Sequence, residues 1–92
     1  MADELPWQID TERPMAIRAE RLTVEEYELV AVQIAADGAW PEEIRWEIFG
    51  PPNNEAPIAT GRADTFVRAK TEAVRAWRSL AEGRTAQKLP FT

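Results

Sequence analysis

The stretch that decides the fold runs from residue 44 to residue 80 and begins with IRWEIF at 44–49. The segment GPPNNE follows at 50–55, and APIATGRA follows at 56–63. Glycine, proline and asparagine supply the backbone angles that turns need, so this cluster between two apolar runs predicts a β-hairpin. A helical pattern begins at residue 64. The order strand, turn, strand, helix indicates an α+β fold.

The hairpin is predicted to place Trp46 opposite Ala59 and Ile44 opposite Gly61. Large side chains on one strand then lie beside small ones on the next, which lets a helix approach the sheet closely. A wide tryptophan can also cover a glycine in a strand. A shift of one residue in this pairing would exchange the two faces of the sheet.

The segment 64–82 is typical of an amphipathic helix that packs on the Trp46 face. Asp64 or Thr65 can cap its N-terminus, and Gly83 can end it. Apolar side chains recur at helical spacing and form one stripe. This stripe comprises Phe66, Ala69, Ala73, Ala76, Trp77 and Leu80.

Residues 23–37 admit two interpretations. The segment 27–34 is rich in β-branched side chains, which favours a strand. The alternative is a helix, because Thr23 and Glu26 have the spacing of a capping box. We favour the strand, since β-branched residues weaken a helix.

The segment before it is also predicted to form a strand, from Met15 to Leu22. Met15, Ile17 and Ala19 alternate with more polar residues, which is typical of a half-buried strand. Together with the hairpin, this predicts an antiparallel sheet of three or four strands.

Ninety-two residues predict one domain, which we place at residues 13–83. Residues 1–12 are expected to form an N-terminal tail, and residues 84–92 a basic C-terminal tail. Trp7 is expected to anchor the first tail on the domain's own surface; a short motif for another protein is the alternative.

The composition restricts the class of protein. The chain has no cysteine and no long apolar run, so we expect a soluble cytoplasmic protein without a membrane span. The chain also has no histidine, and its single serine, Ser79, lies inside the predicted helix. The usual general base and nucleophile arrangements are therefore absent. The carboxylates lack calcium-loop spacing, and no phosphate-binding glycine loop occurs. We predict no enzyme, no cofactor and no metal.

The net charge of −5 is unevenly distributed. Residues 1–60 hold four Arg against thirteen acids, giving −9, and residues 61–92 hold seven bases against three acids, giving +4. Either the basic helix is neutralised by acidic strands, or it meets an acidic partner. The basic residues that could form a stripe are Arg62, Arg68, Lys70, Arg75, Arg78, Arg84 and Lys88.

The hairpin and the alanine-rich helix after it resemble small bacterial and phage-type proteins of unknown function. In those proteins a short antiparallel meander ends in one helix. The resemblance covers residues 44–82 and is one of hydrophobic and turn patterns. It implies a β-meander-plus-helix fold and carries no catalytic residue to this chain.

The predicted strand at 27–34 is apolar on both sides, so we expect a cover on the sheet face that the helix leaves open. The tails could fold back, with Trp7 and Phe91 as anchors, or a second copy could form a homodimer. The leading function is a non-enzymatic binding or assembly module that acts through protein contacts. The candidate interaction residues are Tyr27, Leu29, Phe49, Ile58, Trp7 and Phe91.

The alternative function is a nucleic-acid-binding accessory protein that uses the basic helix. Its candidate face is Arg68, Arg75 and Arg78. The acidic remainder of the chain opposes approach to phosphates, so we rank this function second.

Overall fold

The computed structural model describes residues 5–13, 15–51 and 55–87, with side chains described as far as Glu82. Its described part contains a five-stranded antiparallel sheet and one C-terminal helix, the α+β layout that the sequence predicts. The strands lie in the sheet in chain order, and the helix packs on the last three. The elements are β1 (Gln8–Ile9), β2 (Ala16–Val24), β3 (Tyr27–Ile34), β4 (Glu43–Phe49), β5 (Ala59–Arg62) and α1 (Phe66–Gln87).

The sheet has more strands than the three or four predicted, because β1 lies in the segment expected to be a tail. Gln8 pairs with Arg21, and Ile9 pairs with Glu20. Two residues are too few to show the alternating pattern on which strand prediction depends. β1 therefore protects only a short part of the outer edge of β2.

The ambiguous segment 23–37 contains a strand, as favoured. β2 ends at Val24, Glu25 and Glu26 form a turn, and Tyr27 begins β3 opposite Val24. No helix directly follows Thr23, so Thr23 and Glu26 do not form a capping box. The β-branched run prevails because β3 lies between two neighbouring strands and packs on both of its faces.

The β4–β5 hairpin has the predicted faces but a different register. Trp46 lies opposite Gly61 and Ile48 opposite Ala59, so each pair is displaced by two residues from the prediction. A two-residue displacement preserves which side chains share a face. The indole of Trp46 lies directly on Gly61: a Cβ atom at Gly61 would be 2.5 Å from Cε2 of Trp46.

The main core lies between α1 and one face of the sheet. The predicted stripe is confirmed there: Phe66, Ala69 and Ala73 are buried, and the rest of the stripe packs against them partly buried. Val74 and Lys70, which the stripe did not include, are buried as well. The sheet contributes Leu22, Tyr27, Leu29, Ala31, Trp46 and Ile48.

Both ends of α1 can be compared with the prediction. Thr65 is the cap, since its Oγ1 accepts a hydrogen bond from the backbone N–H of Arg68 at 3.1 Å. Gly83 does not end the helix, which continues to Gln87. A glycine costs a helix only about 1 kcal/mol, and no proline follows before Gln87 to stop it.

The start of β2 differs from the predicted half-buried strand. The register shifts between Ala16 and Arg18, which places Ile17 in a bulge. Met15 and Ile17 are exposed, and only Ala19 of the predicted inner residues is buried. A bulge interrupts the alternation of sides, so the simple period-two prediction is wrong here.

We expect Gly61→Ala to lower the free energy of unfolding by about 1–3 kcal/mol, because the new methyl group would overlap a rigid ring. The gain from replacing a flexible glycine is smaller, about 0.5–1 kcal/mol. In a Trp46→Leu background the same change should be neutral or stabilising. Urea denaturation of both single variants and the double variant measures this; additive effects would show that Trp46 and Gly61 are not coupled.

The turn at Glu25 offers a second test. Glu25 has a φ of 56°, the only positive φ among the described non-glycine residues. This conformation costs a side-chain-bearing residue about 1–2 kcal/mol. Glu25→Gly should therefore raise the free energy of unfolding by about 0.5–1 kcal/mol, measured by chemical denaturation. Glu26→Gly is the matched control and should lower the free energy of unfolding. If both variants were less stable than the original chain, the backbone strain at Glu25 would be contradicted.

Candidate interaction surfaces

The face of the sheet away from α1 is closed within the single chain. Val30 and Val32 on this face are 0% and 1% exposed. The register places Val30 between Arg21 and Glu47, and Val32 between Ala19 and Arg45. A cover is therefore present within the chain, but it is made mainly of charged side chains. The expected anchor Trp7 packs on the opposite, α1 side of the sheet. The apolarity of β3 no longer argues for a dimer through this face.

Arg13 spans this face from the β1 side of the sheet to β4. It donates a hydrogen bond to Glu47 at 2.6 Å, and its Nε lies 3.9 Å from Asp10. Arg45 lies 3.6 Å from the other oxygen of Glu47. Because Arg13 reaches Glu47 across two intervening strands, its aliphatic stem can shield the valines while its charge stays paired.

A second group of ion pairs surrounds Arg21. Its guanidinium contacts Glu12 at 2.7 Å, Glu28 at 3.1 Å and Asp10 at 3.4 Å. Burial alone would lower the pKa of Arg21, but the hydrogen bond to Glu12 and the nearby carboxylates outweigh it, so the pKa is raised. Arg21 therefore remains charged and holds the segment after β1 on the sheet.

The six candidate interaction residues do not form one surface. Tyr27 and Leu29 are buried under α1, so they are core residues and cannot contact a partner in the folded chain. Phe49 is half-buried, and Ile58 is exposed beyond the end of β4. Trp7 packs partly buried against the core, and Phe91 lies outside the described residues. The prediction that Tyr27 and Leu29 contact a partner is wrong because both faces of β3 are apolar, so the sequence does not show which face lies under the helix.

Lys70 was counted with the basic stripe, but it lies inside the molecule. It is 3% exposed, and its Nζ is 3.1 Å from Glu20 on β2. The same ammonium lies 5.6 Å from the ring centre of Trp7 and 5.7 Å from that of Phe66. Trp7 is thus anchored on the chain's own surface by packing and by a cation–π contact.

The predicted basic face is smaller than the sequence suggests. Arg68 lies 3.5 Å from Glu72 and 3.9 Å from Asp64 within its own helix. Arg75 and Arg78 are exposed and form no ion pair with any residue that the structure describes. Together with the buried Lys70, this partly supports the neutralised interpretation of the helix charges.

The most exposed aromatic side chain among the described residues was not one of the candidates. Trp40 is 78% exposed at the end of a tight turn, where it exchanges two backbone hydrogen bonds of 2.9 Å with Asp37. Gly38 supplies the positive φ of this turn. The sequence carried two signals for it, the turn-forming Asp37-Gly38 and the position of Trp40 off every predicted core face.

An open groove of about 570 Å³ lies beside this turn. The groove and the exposed side chain of Trp40 together are called the Trp40 surface. Its apolar lining includes Ile34, Trp40, Pro41, Ile44 and Ala63, and its charged lining is Asp37, Glu42, Glu43 and Arg62. Arg62 pairs with Glu43 at 3.2 Å, whereas Asp37 and Glu42 form no ion pair with the described residues. The surface is thus apolar with an acidic edge.

No protein-family model, curated protein or solved structure matches this chain. The resemblance to small meander-plus-helix proteins therefore stays a prediction. The described residues contain no cluster of three or more His, Cys, Asp or Glu side chains suited to a metal ion. They also contain no helix with the length and hydropathy needed to cross a membrane.

We expect Glu47→Gln to lower the free energy of unfolding by about 1–2 kcal/mol, because Arg13 and Arg45 would lose their shared carboxylate. Adding Arg13→Ala should cost less in this background than in the original chain. The exposed Glu26→Gln is the control and should change stability by less than about 0.5 kcal/mol. Thermal or urea unfolding measures all of these variants, and equal effects of Glu47→Gln and Glu26→Gln would contradict the pairing.

Proposed function

We propose that this chain is a small non-enzymatic binding or assembly module that acts through protein contacts at the Trp40 surface. The observation that supports this is the exposure of Trp40 on a hydrogen-bonded turn beside an apolar groove. Tryptophan is enriched among the residues that contribute most to protein interfaces, and a rigid turn lowers the entropy lost on binding.

The composition supports a non-enzymatic role. The chain lacks histidine and cysteine, so the commonest general base and the most reactive nucleophile are missing. A cytoplasmic location is part of the same proposal, because a cysteine-free chain fits a reducing compartment.

Trp40→Ala tests the binding role directly. We expect this variant to lose at least about tenfold in captured partner, a change of about 1.4 kcal/mol, in cross-linking and affinity capture from extracts of the native host. Its unfolding free energy should change by less than about 0.5 kcal/mol, because the side chain is exposed. Ile9→Ala is the matched control, since Ile9 is 82% exposed elsewhere. Equal capture by Trp40→Ala and the original chain would contradict the proposal.

Nucleic-acid binding is the alternative, and it is favoured by Arg75 and Arg78, which form no ion pair with the described residues. The net charge of −5 opposes it, because such binding depends mainly on neutralising phosphates. We expect no appreciable binding to duplex or single-stranded nucleic acid at physiological salt by fluorescence anisotropy. If the chain bound nucleic acid with micromolar affinity and Arg75→Glu weakened this binding, nucleic-acid binding would become the leading function.

A further inference from the structure

Two pairs of charges that form no ion pair with the described residues lie toward opposite ends of the sheet: Asp37 with Glu42, and Arg75 with Arg78. Glu25 and Glu26, exposed in the turn before β3, also form none with the described residues. Asp37 and Glu42 line the groove at the end where β3 finishes with Ile34. Arg78 lines a smaller cavity of about 180 Å³ with Val24, at the end where β3 begins. Arg75 lies three positions earlier on the helix, which makes it a surface neighbour of Arg78.

The distance between the two ends is set by β3. Its eight residues span about 23 Å at the usual rise per residue. A two-fold axis across this direction would place Asp37 and Glu42 of one copy toward Arg75 and Arg78 of another. Both contacts would then form at once, as a closed dimer requires.

We propose that the partner of the Trp40 surface is a second copy of this chain, arranged antiparallel to the first. Trp40 of each copy stacks on the guanidinium of Arg75 or Arg78 of the other, and Asp37 and Glu42 pair with the same arginines. Arginine suits this contact because its flat, weakly hydrated group binds an aromatic face and a carboxylate together. This inference rests on the proposed function, since it names the partner of that surface.

The net charge of the chain opposes this arrangement only at long range. Two copies with a net charge of −5 repel each other at long range, but salt at about 0.15 M screens charges more than about 8 Å apart. The contacts between opposite charges act at shorter range. The association is therefore expected near physiological salt and should weaken at about 1 M salt, where the Debye length is about 3 Å.

Sedimentation equilibrium of the full chain at high micromolar concentration is the test. We expect a dimer. Two charge-reversed variants are compared with it: an acidic-end variant, Asp37→Lys with Glu42→Lys, and a helix variant, Arg75→Glu with Arg78→Glu. Each should self-associate at least about tenfold more weakly, a change of about 1.4 kcal/mol.

Mixing the two variants is the decisive step. In the mixed dimer the reversed end of each copy meets the opposite charge on the other copy, so both contacts become attractive again. The mixture should restore dimers that contain one copy of each variant. Circular dichroism of each variant checks that it is folded. A monomeric full chain, full dimerisation of either variant alone, or a mixture that stays monomeric would overturn the proposal.

The same samples separate this inference from the proposed function. A monomeric chain whose capture of a host protein still depends on Trp40 overturns the second copy as partner and retains the Trp40 surface as a binding site. A monomeric chain whose capture does not depend on Trp40 overturns both. A dimer that is lost in Trp40→Ala and retained in Ile9→Ala supports both.

Discussion

The contact of Trp46 with Gly61 is the constraint on which the rest of the structure depends. The missing side chain at Gly61 lets the indole lie flat across β5, and the small residues of α1 can then approach the sheet. The Nε1 atom of Trp46 is buried and has no hydrogen-bond partner among the described residues. The tryptophan therefore contributes through its shape and apolar area, which for an aromatic side chain is large.

That packing leaves the second face to be closed by other means. The valines of β3 are covered there by arginine and glutamate side chains in place of a second apolar layer. Such a cover costs desolvation of the charges and is stable only when each charge has a partner. Arg13 and Arg21 meet this condition with carboxylates from three different parts of the chain. The surfaces that remain for a partner therefore include the ends of the sheet, its edge strands and the outer side of the helix.

Hydrophobic periodicity predicted the α+β layout, the apolar stripe of α1 and the faces of the β4–β5 hairpin. It failed where a local feature interrupts the period, as at the bulge of Ile17, or where an element is too short to show one, as in β1. The register of the hairpin was wrong by two residues, because a displacement of two keeps the same faces and leaves no trace in the pattern. Glu47 and Glu28, which pair with Arg13 and Arg21, are distant from them in sequence, so a periodic pattern could not predict these ion pairs.

Lys70 shows why the charges of a sequence do not by themselves define a surface. By composition it belongs to a basic stripe, and by helical position it lies between the buried Phe66 and Val74. Position prevails because Glu20 and two aromatic rings offset the cost of burying the ammonium. Once Lys70 and the paired Arg62 and Arg68 are removed from the stripe, Arg75 and Arg78 are its remaining members among the described side chains. A pair this small is a weak site for a polyanion. The proposed self-association would instead pair these arginines with Asp37 and Glu42, which form no ion pair with the described residues of their own chain.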